Sequence, residues 1–130
     1  GNAIFLADDE KVIRKKVMRA VTDNGPVEMN QEKPEPIKNL FTLLEVVSLP
    51  EIVTHFDELY NKCEIRYGDL KKQLAEDMVK FCNPFKEKIE ELSKDNDYLR
   101  KVVKAGAEKA RESASKTIKD VRKIIGFKEF

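Results

Sequence analysis

The feature that most constrains this 130-residue chain is a stripe of apolar side chains in its second half, which recur every three or four positions. That spacing matches the period of an α-helix and not of a strand, so it predicts one long helix that begins near Gly68 and Asp69. Pro84 interrupts the stripe without shifting its phase, and we expect a kink there rather than the end of the helix. The stripe comprises Leu70, Leu74, Met78, Phe81, Phe85, Ile89 and Leu92.

A second long helix is predicted from about Tyr98 to Ile125, with Gly126 as its C-terminal stop. One face of this helix is apolar, with small residues in its middle, so another helix can approach it closely. We therefore expect the two long helices to pack antiparallel and to bury both Phe81 and Val121. The face comprises Leu99, Val103, Gly106, Ala110, Ala114, Val121 and Ile124.

Three shorter helices are predicted before these two. Asp8 and Asp9 are candidates to cap the first, which ends before the turn at Asn24-Gly25. The second runs from about Ile37 to Ser48, and the third begins at Pro50, a residue suited to a first helical position. Their expected buried residues are Ile13, Val17 and Val21 in the first helix, and Ile52, Phe56 and Leu59 or Tyr60 in the third. The sequence thus predicts an all-α bundle of about five helices, the last two long and antiparallel.

Charge is distributed unevenly along the chain although the net charge is only +1. Residues 1–21 carry five basic and three acidic side chains, residues 22–98 ten and seventeen, and residues 99–130 ten and four. Basic ends around an acidic middle are consistent with a nucleic-acid-binding surface, and equally with a fold that neutralises itself when its ends pack near the middle. The basic face of the last helix, which suits an anionic partner, includes Lys101, Lys104, Arg111 and Lys119.

No catalytic or metal-binding motif is present in the sequence. It contains no glycine-rich phosphate loop and no Ser/His/Asp or Cys/His set, and we interpret His55 as a surface or half-buried side chain. Cys63 and Cys82 are too few for a disulfide framework and form no zinc motif, which favours reduced thiols in a cytosolic protein. No apolar run approaches the roughly 20 residues of a membrane span, so we expect a soluble protein. Taken alone, the chain is predicted to be a binding module.

Three segments of the sequence resemble one family. The stretch GNAIFLADDEKVIRKKVMRAVTDNG resembles the segment that follows the KMSKS loop in bacterial-type tryptophanyl-tRNA synthetases. The stretches YGDLKKQLAEDMVKFCNPFKEKIEEL and GAEKARESASKTIKDVRKIIGF resemble the two long helices that close the same enzymes, and the latter is the most specific. The resemblance covers nearly the whole chain in order, with residues 26–62 its least distinctive part.

This resemblance implies two parts within the chain. Residues 1–8 would be the trailing end of the KMSKS-loop region of a catalytic domain, and residues 9–130 a helical anticodon-binding domain. The family is a class I ligase that activates tryptophan with ATP and attaches it to its tRNA in the cytoplasm. Its HIGH and KMSKS signatures and its tryptophan pocket have no counterpart here, so ATP with magnesium, and tryptophan, are expected in a missing upstream domain. The fragment is then expected to be catalytically inactive and monomeric, in a full-length enzyme that forms a homodimer through that domain and does not bind membranes.

The resemblance also implies two anticodon-binding residues, Asp23 and Lys71, which match positions that face the anticodon in this family. A carboxylate can accept a hydrogen bond from the cytosine amino group, and the tryptophan anticodon begins with two cytosines. A lysine can hold a base carbonyl or a phosphate of a single-stranded loop. The alternatives are that Asp23 is a turn residue that ends a helix and that Lys71 is a surface lysine. For the whole chain, the alternative function is a freestanding helical adaptor that binds protein and not RNA.

Overall fold

A computed structural model describes residues 3–127 and confirms the all-α prediction. Five helices and no strands are found within these residues, and the last two helices are by far the longest. The helices are α1 (Glu10–Met18), α2 (Glu35–Val47), α3 (Pro50–Asn61), α4 (Tyr67–Lys94) and α5 (Asn96–Ile124). As predicted, Pro50 is the first residue of α3 and Pro84 lies inside α4.

The first helix is shorter than its apolar pattern suggests. Ile13 and Val17 are buried as expected, but α1 ends at Met18, and Val21 lies outside it with 73% of its surface exposed. The expected burial of Val21 is therefore wrong. The carbonyl of Ala20 accepts a hydrogen bond from the Lys71 ammonium. Local sequence patterns could not predict this contact, because Lys71 lies far from Ala20 along the chain.

The two aspartates before α1 have different roles. Asp9 occupies the N-cap position, but its side chain makes no capping hydrogen bond. The Asp8 carboxylate instead accepts from the Phe5 amide at 2.9 Å and pairs with Lys16. The hydrogen bond from Lys16, followed by that from Phe5, lowers the pKa of Asp8 below its usual value. These contacts tie the segment before α1 to the second turn of the helix.

The chain divides into two compact units, residues 1–88 and 89–130. The first unit contains α1, α2, α3 and most of α4, and its core is formed by apolar side chains from all four helices. The core residues are Ile13, Val17, Ile37, Leu40, Phe41, Leu44, Phe56, Tyr60, Leu70, Leu74, Ala75, Met78, Val79 and Cys82. The N-terminal half of the α4 stripe is thus buried as predicted.

In the second unit, α5 is amphipathic in sequence but none of its side chains is buried. Phe81 in α4 is 37% exposed and Val121 in α5 is 42% exposed, so the predicted burial of these two residues is wrong. Helical periodicity shows which residues share a face, whereas burial requires a partner that covers the face. The antiparallel direction of the two helices stays a prediction. Asp95 accepts a hydrogen bond from the Tyr98 amide at the start of α5, and Gly126 follows its end as predicted.

Candidate nucleic-acid interface

The turn that contains Asp23 is held together by its own hydrogen bonds. The Asp23 carboxylate is exposed, and its Oδ1 accepts from the Gly25 amide at 2.9 Å, which makes an Asx turn. Gly25 has a φ of +98°, a conformation that a side chain would strain. A few residues later, the Gln31 side chain accepts from the Val27 amide at 2.8 Å. The carboxylate is therefore presented by an ordered turn.

Lys71 is buried and binds the segment just before this turn. Its side chain is only 9% exposed, so the surface-lysine alternative is wrong. The Nζ atom donates to the Ala20 carbonyl at 2.7 Å and lies 3.3 Å from the Thr22 hydroxyl. Two of the three N–H bonds of the ammonium group thus have protein acceptors, and one is left for any further ligand. No ion pair joins Lys71 to a carboxylate in the part of the chain that the structure describes.

Tyr67 is a third residue at this place, and sequence reasoning missed it. It lies four residues before Lys71, and therefore on the same face of α4. Burial raises the pKa of Tyr67 well above its usual value, and the Asp23 carboxylate, which lies close enough to interact with the Tyr67 hydroxyl, raises it further. Its hydroxyl oxygen is buried but makes no hydrogen bond of ordinary geometry with any described residue. The sequence signal that could have identified Tyr67 is its position four residues before the candidate site residue Lys71.

The structure thus brings together the residues that the sequence predicted to converge. The end of α1, the turn at Asp23 and the start of α4 meet where Lys71 binds Ala20 and Thr22, just before Asp23. We call Thr22, Asp23, Tyr67 and Lys71 the Asp23 site. It combines an exposed carboxylate with buried polar groups that fix the backbone beside it, which is how a base-reading side chain can be oriented.

The four basic residues predicted on α5 are all exposed, and none forms an ion pair within the described residues. Lys104 and Arg111 line one shallow hollow on α5 together with Arg100, Val103 and Ala107. Lys101 and Lys119 do not line this hollow. The predicted set is therefore one open basic surface of which only Lys104 and Arg111 share a hollow. It belongs to the second compact unit.

The single histidine and the two cysteines lie outside the Asp23 site as defined above. His55 is exposed beside the Phe56 ring, Cys63 and Cys82 are free thiols, and no group of side chains in residues 3–127 could hold a metal ion. None of the helices in that range is long and apolar enough to cross a membrane.

The sequence is similar along nearly its whole length to bacterial ligases, although no family model matches it. It is 59% identical over 128 residues to the tryptophan–tRNA ligase of Porphyromonas gingivalis, a match that covers 98% of this chain and 39% of that protein. It is 38% identical to tryptophan–tRNA ligase 1 of Streptomyces coelicolor (95% of this chain, 35% of that protein). It is 35% identical to a tryptophan–tRNA ligase of Helicobacter pylori (97% and 37%).

These matches and the all-helical fold place the chain among the aminoacyl-tRNA synthetases. Its family within that class is the tryptophan–tRNA ligases, and it corresponds to their C-terminal part. The chain spans little more than a third of the length of these relatives.

Proposed function

We propose that this chain supplies anticodon recognition to a ligase that attaches tryptophan to its tRNA. The observation that carries the proposal is the Asp23 site, in which an exposed carboxylate lies on a turn that buried Lys71 fastens to α4. The bases of a single-stranded anticodon loop can be splayed out and read along their edges. A carboxylate accepts hydrogen bonds only, so it selects cytosine, whose amino group donates, over uracil, whose carbonyl oxygen accepts.

Lys71 contributes to this function mainly by fixing the backbone next to Asp23. Its two protein acceptors occupy most of its hydrogen-bonding capacity, so it has one N–H bond to offer a base carbonyl or a phosphate. In this proposal Asp23 reads the base. Lys71 keeps the turn in place and adds at most one direct contact with the RNA.

The basic surface of α5 is proposed to bind the tRNA backbone. Its cations have no carboxylate partners within the described residues, so a phosphate does not have to displace an existing ion pair. Phosphate contacts carry no sequence information. Lys104→Glu is therefore expected to weaken the binding of every tRNA by a similar factor and to make binding less sensitive to salt.

The catalytic steps are proposed to belong to the part of the ligase outside this chain, where ATP with magnesium, and tryptophan, would bind. The chain alone is then expected to show no tryptophan-dependent pyrophosphate exchange, and its thermal stability should not respond to ATP. Exchange activity in the isolated chain would contradict this assignment. The family membership favours the ligase over the freestanding protein-binding adaptor.

The test of anticodon recognition uses the full-length ligase and two tRNAs, one with the natural anticodon and one with its first cytosine replaced by uracil. Asp23→Ala is expected to reduce the preference for the natural tRNA by about 1–3 kcal/mol, which is roughly five- to 150-fold in the ratio of charging rates. Asp120→Ala, which removes an exposed carboxylate on α5, is the matched control and should leave the ratio unchanged.

A second variant separates the carboxylate from the turn. Asp23→Asn keeps a side-chain oxygen that can accept from the Gly25 amide, but it removes the negative charge. If base reading depends on the charge, Asp23→Asn should lose much of the preference while the protein keeps its melting temperature. An unchanged ratio in both Asp23 variants would show that Asp23 is only a turn residue.

A further inference from the structure

A groove of about 730 Å³ lies in the first unit and is lined mainly by apolar side chains. Part of its lining is buried and belongs to the core, namely Val17, Leu40 and Leu74. Another part is exposed to solvent, namely Val12, Val21 and Leu43. The groove thus extends the apolar core out to the surface. Contiguous exposed apolar surface of this kind is typical of a place where another protein surface packs.

Val21 shows most clearly that a covering surface is missing from the groove. It continues the apolar stripe of α1, in which Ile13 and Val17 are 1% and 3% exposed. In the structure Val21 lies beyond the end of α1 and is 73% exposed, so the described residues leave most of it uncovered. A valine that continues a core stripe but remains exposed in an apolar groove is expected to be covered by a partner.

The N-terminal segment lies at this groove, because Ala3 and Ile4 both line it. Since the chain corresponds to the C-terminal part of its relatives, the larger part of such a ligase precedes residue 1. We call it the upstream part. The two residues before Ala3 span at most about 7 Å, so the upstream part joins the chain close to the groove. A tethered partner acts at an effective concentration of about millimolar, which favours it over a free protein even when the interface is weak.

Positive charges lie at the same groove. Lys15, Lys16 and Arg19 all line it. Lys16 pairs with Asp8, whereas Lys15 and Arg19 are exposed and form no ion pair within residues 3–127. A surface that covers the groove comes close to these cations, where carboxylates complement them and further cations are repelled. The matching surface therefore has an apolar centre with carboxylates at its edge.

We propose that this groove is the docking surface for the upstream part of the same ligase chain. An apolar patch of the upstream part packs against Val12, Val21 and Leu43, and a carboxylate of it pairs with Lys15. Contacts between two domains of one chain typically bury about 600–1,500 Å², and the groove forms the apolar centre of such a contact. The inference rests on the family membership and does not depend on anticodon reading.

The first experiment compares the reactivity of two introduced thiols in the full-length ligase without tRNA. Val27 is the matched control for Val21, because it also lies outside the helices, is 85% exposed and does not line the groove. Val21→Cys and Val27→Cys are each labelled with a maleimide and quantified by peptide mass spectrometry, with the thiol of Cys63 as an internal reference. We expect Val21→Cys to react about tenfold or more slowly than Val27→Cys, because a covered thiol reacts only in the open fraction of molecules.

The second experiment identifies what covers the groove. A carbodiimide joins a lysine ammonium to a carboxylate that it contacts, and it is applied to a mixture of unlabelled and ¹⁵N-labelled full-length ligase without tRNA. We expect a cross-link between Lys15 and an aspartate or glutamate of the upstream part within one copy. Lys15→Arg keeps the positive charge but cannot form the amide, so it should abolish this cross-link.

Three results would overturn the inference. One is an equal labelling rate for Val21→Cys and Val27→Cys. Another is protection of Val21→Cys that appears only when tRNA is added, which would make the groove an RNA-binding surface. The third is a cross-link from Lys15 to a second copy, or no cross-link at all, which would exclude the proposed pairing with the upstream part. None of these measurements uses the charging ratio, so an unchanged ratio in Asp23→Ala would contradict the proposed function alone.

Discussion

Residues 3–88 bury fourteen apolar side chains in one core, whereas α5 buries none of its 29 residues. The treatment of positive charge differs in the same way. Among residues 3–127, at least eight ion pairs involve cations of the first unit, and none involves a residue of α5. In the first unit many cations are paired with carboxylates of the same chain, whereas the cations of α5 have no carboxylate partner among the described residues.

Two Glu–Lys pairs with the same spacing show that the distance along the sequence does not explain this contrast in ion pairing. Glu58 and Lys62 on α3 are four residues apart and form an ion pair at 3.4 Å. Glu112 and Lys116 on α5 have the same order and spacing but form no ion pair. Exposed pairs of this kind are worth only about 0.3–0.5 kcal/mol, so a polyanion can replace them at little cost. The comparison is an argument for the proposal that α5 binds an anionic partner, while the described core of the chain lies in the first unit.

The largest expected effect comes from removing one leucine from each region. Leu74→Ala in the core should destabilise the chain by about 2–5 kcal/mol, because Leu74 is fully buried and a cavity remains. Leu99→Ala on α5 should cost less than about 0.5 kcal/mol, since Leu99 is exposed. Urea denaturation of the 130-residue chain measures both. Equal losses would show that the apolar face of α5 is packed in solution, and the comparison would fail.

A smaller effect is expected from a buried carboxylate. Asp77 accepts hydrogen bonds from the Ser48 hydroxyl at 2.7 Å and from the Gln73 amide at 2.9 Å, which connect the end of α2 to α4. Burial works to raise the pKa of Asp77, but these hydrogen bonds, with nearby Lys80, outweigh it and hold the pKa below its usual value.

Because the pKa of Asp77 is lower in the folded than in the unfolded protein, its contribution to stability is complete above the unfolded value near 3.8 and is lost as the pH falls below it. Asp77→Asn should therefore lower the free energy of unfolding by about 1–3 kcal/mol at pH 7, with a shrinking difference from wild type below pH 4. Asp120→Asn on α5 should show neither effect. Urea midpoints between pH 7 and pH 3 measure this, and a difference that persists at low pH would exclude the charge as its cause.

The smallest effect is expected at two helix ends with the same hydrogen bonds. After α3, the Glu64 amide donates to Leu59 at 2.8 Å and Cys63 has a φ of +59°. After α5, the Phe127 amide donates to Arg122 at 2.8 Å and Gly126 has a φ of +77°. Both are Schellman motifs, but only the second has the glycine that this left-handed position favours.

Cys63→Gly should therefore raise the stability of the chain by up to about 1 kcal/mol, because a non-glycine residue is strained in this conformation. Gly126→Ala should fray the end of α5 without lowering the urea midpoint of the first unit. Circular dichroism at 222 nm reports the fraying, and the midpoint reports the core. A lower midpoint in Gly126→Ala would mean that α5 and the first unit unfold together.

Much of the fold followed from local patterns. The spacing of Leu70, Leu74 and Met78 predicted the buried face of α4, and Pro50 and Gly126 marked helix boundaries by their own backbone preferences. The site was less accessible. Asp23 and Lys71 were identified by resemblance, and Tyr67 was missed because it approaches Asp23 from 44 positions away in the sequence.

The sequence by itself determined the helices, their periodic faces and the family, since these depend on neighbours in the chain and on the order of residues. Only the tertiary structure decided that Lys71 is buried and holds the backbone of Ala20, and that none of the residues of α5 is buried. Burial and hydrogen-bond pairing depend on which distant groups meet. The same periodic face can be core in α4 and surface in α5, because the spacing of apolar residues in a helix does not determine which other element packs against it.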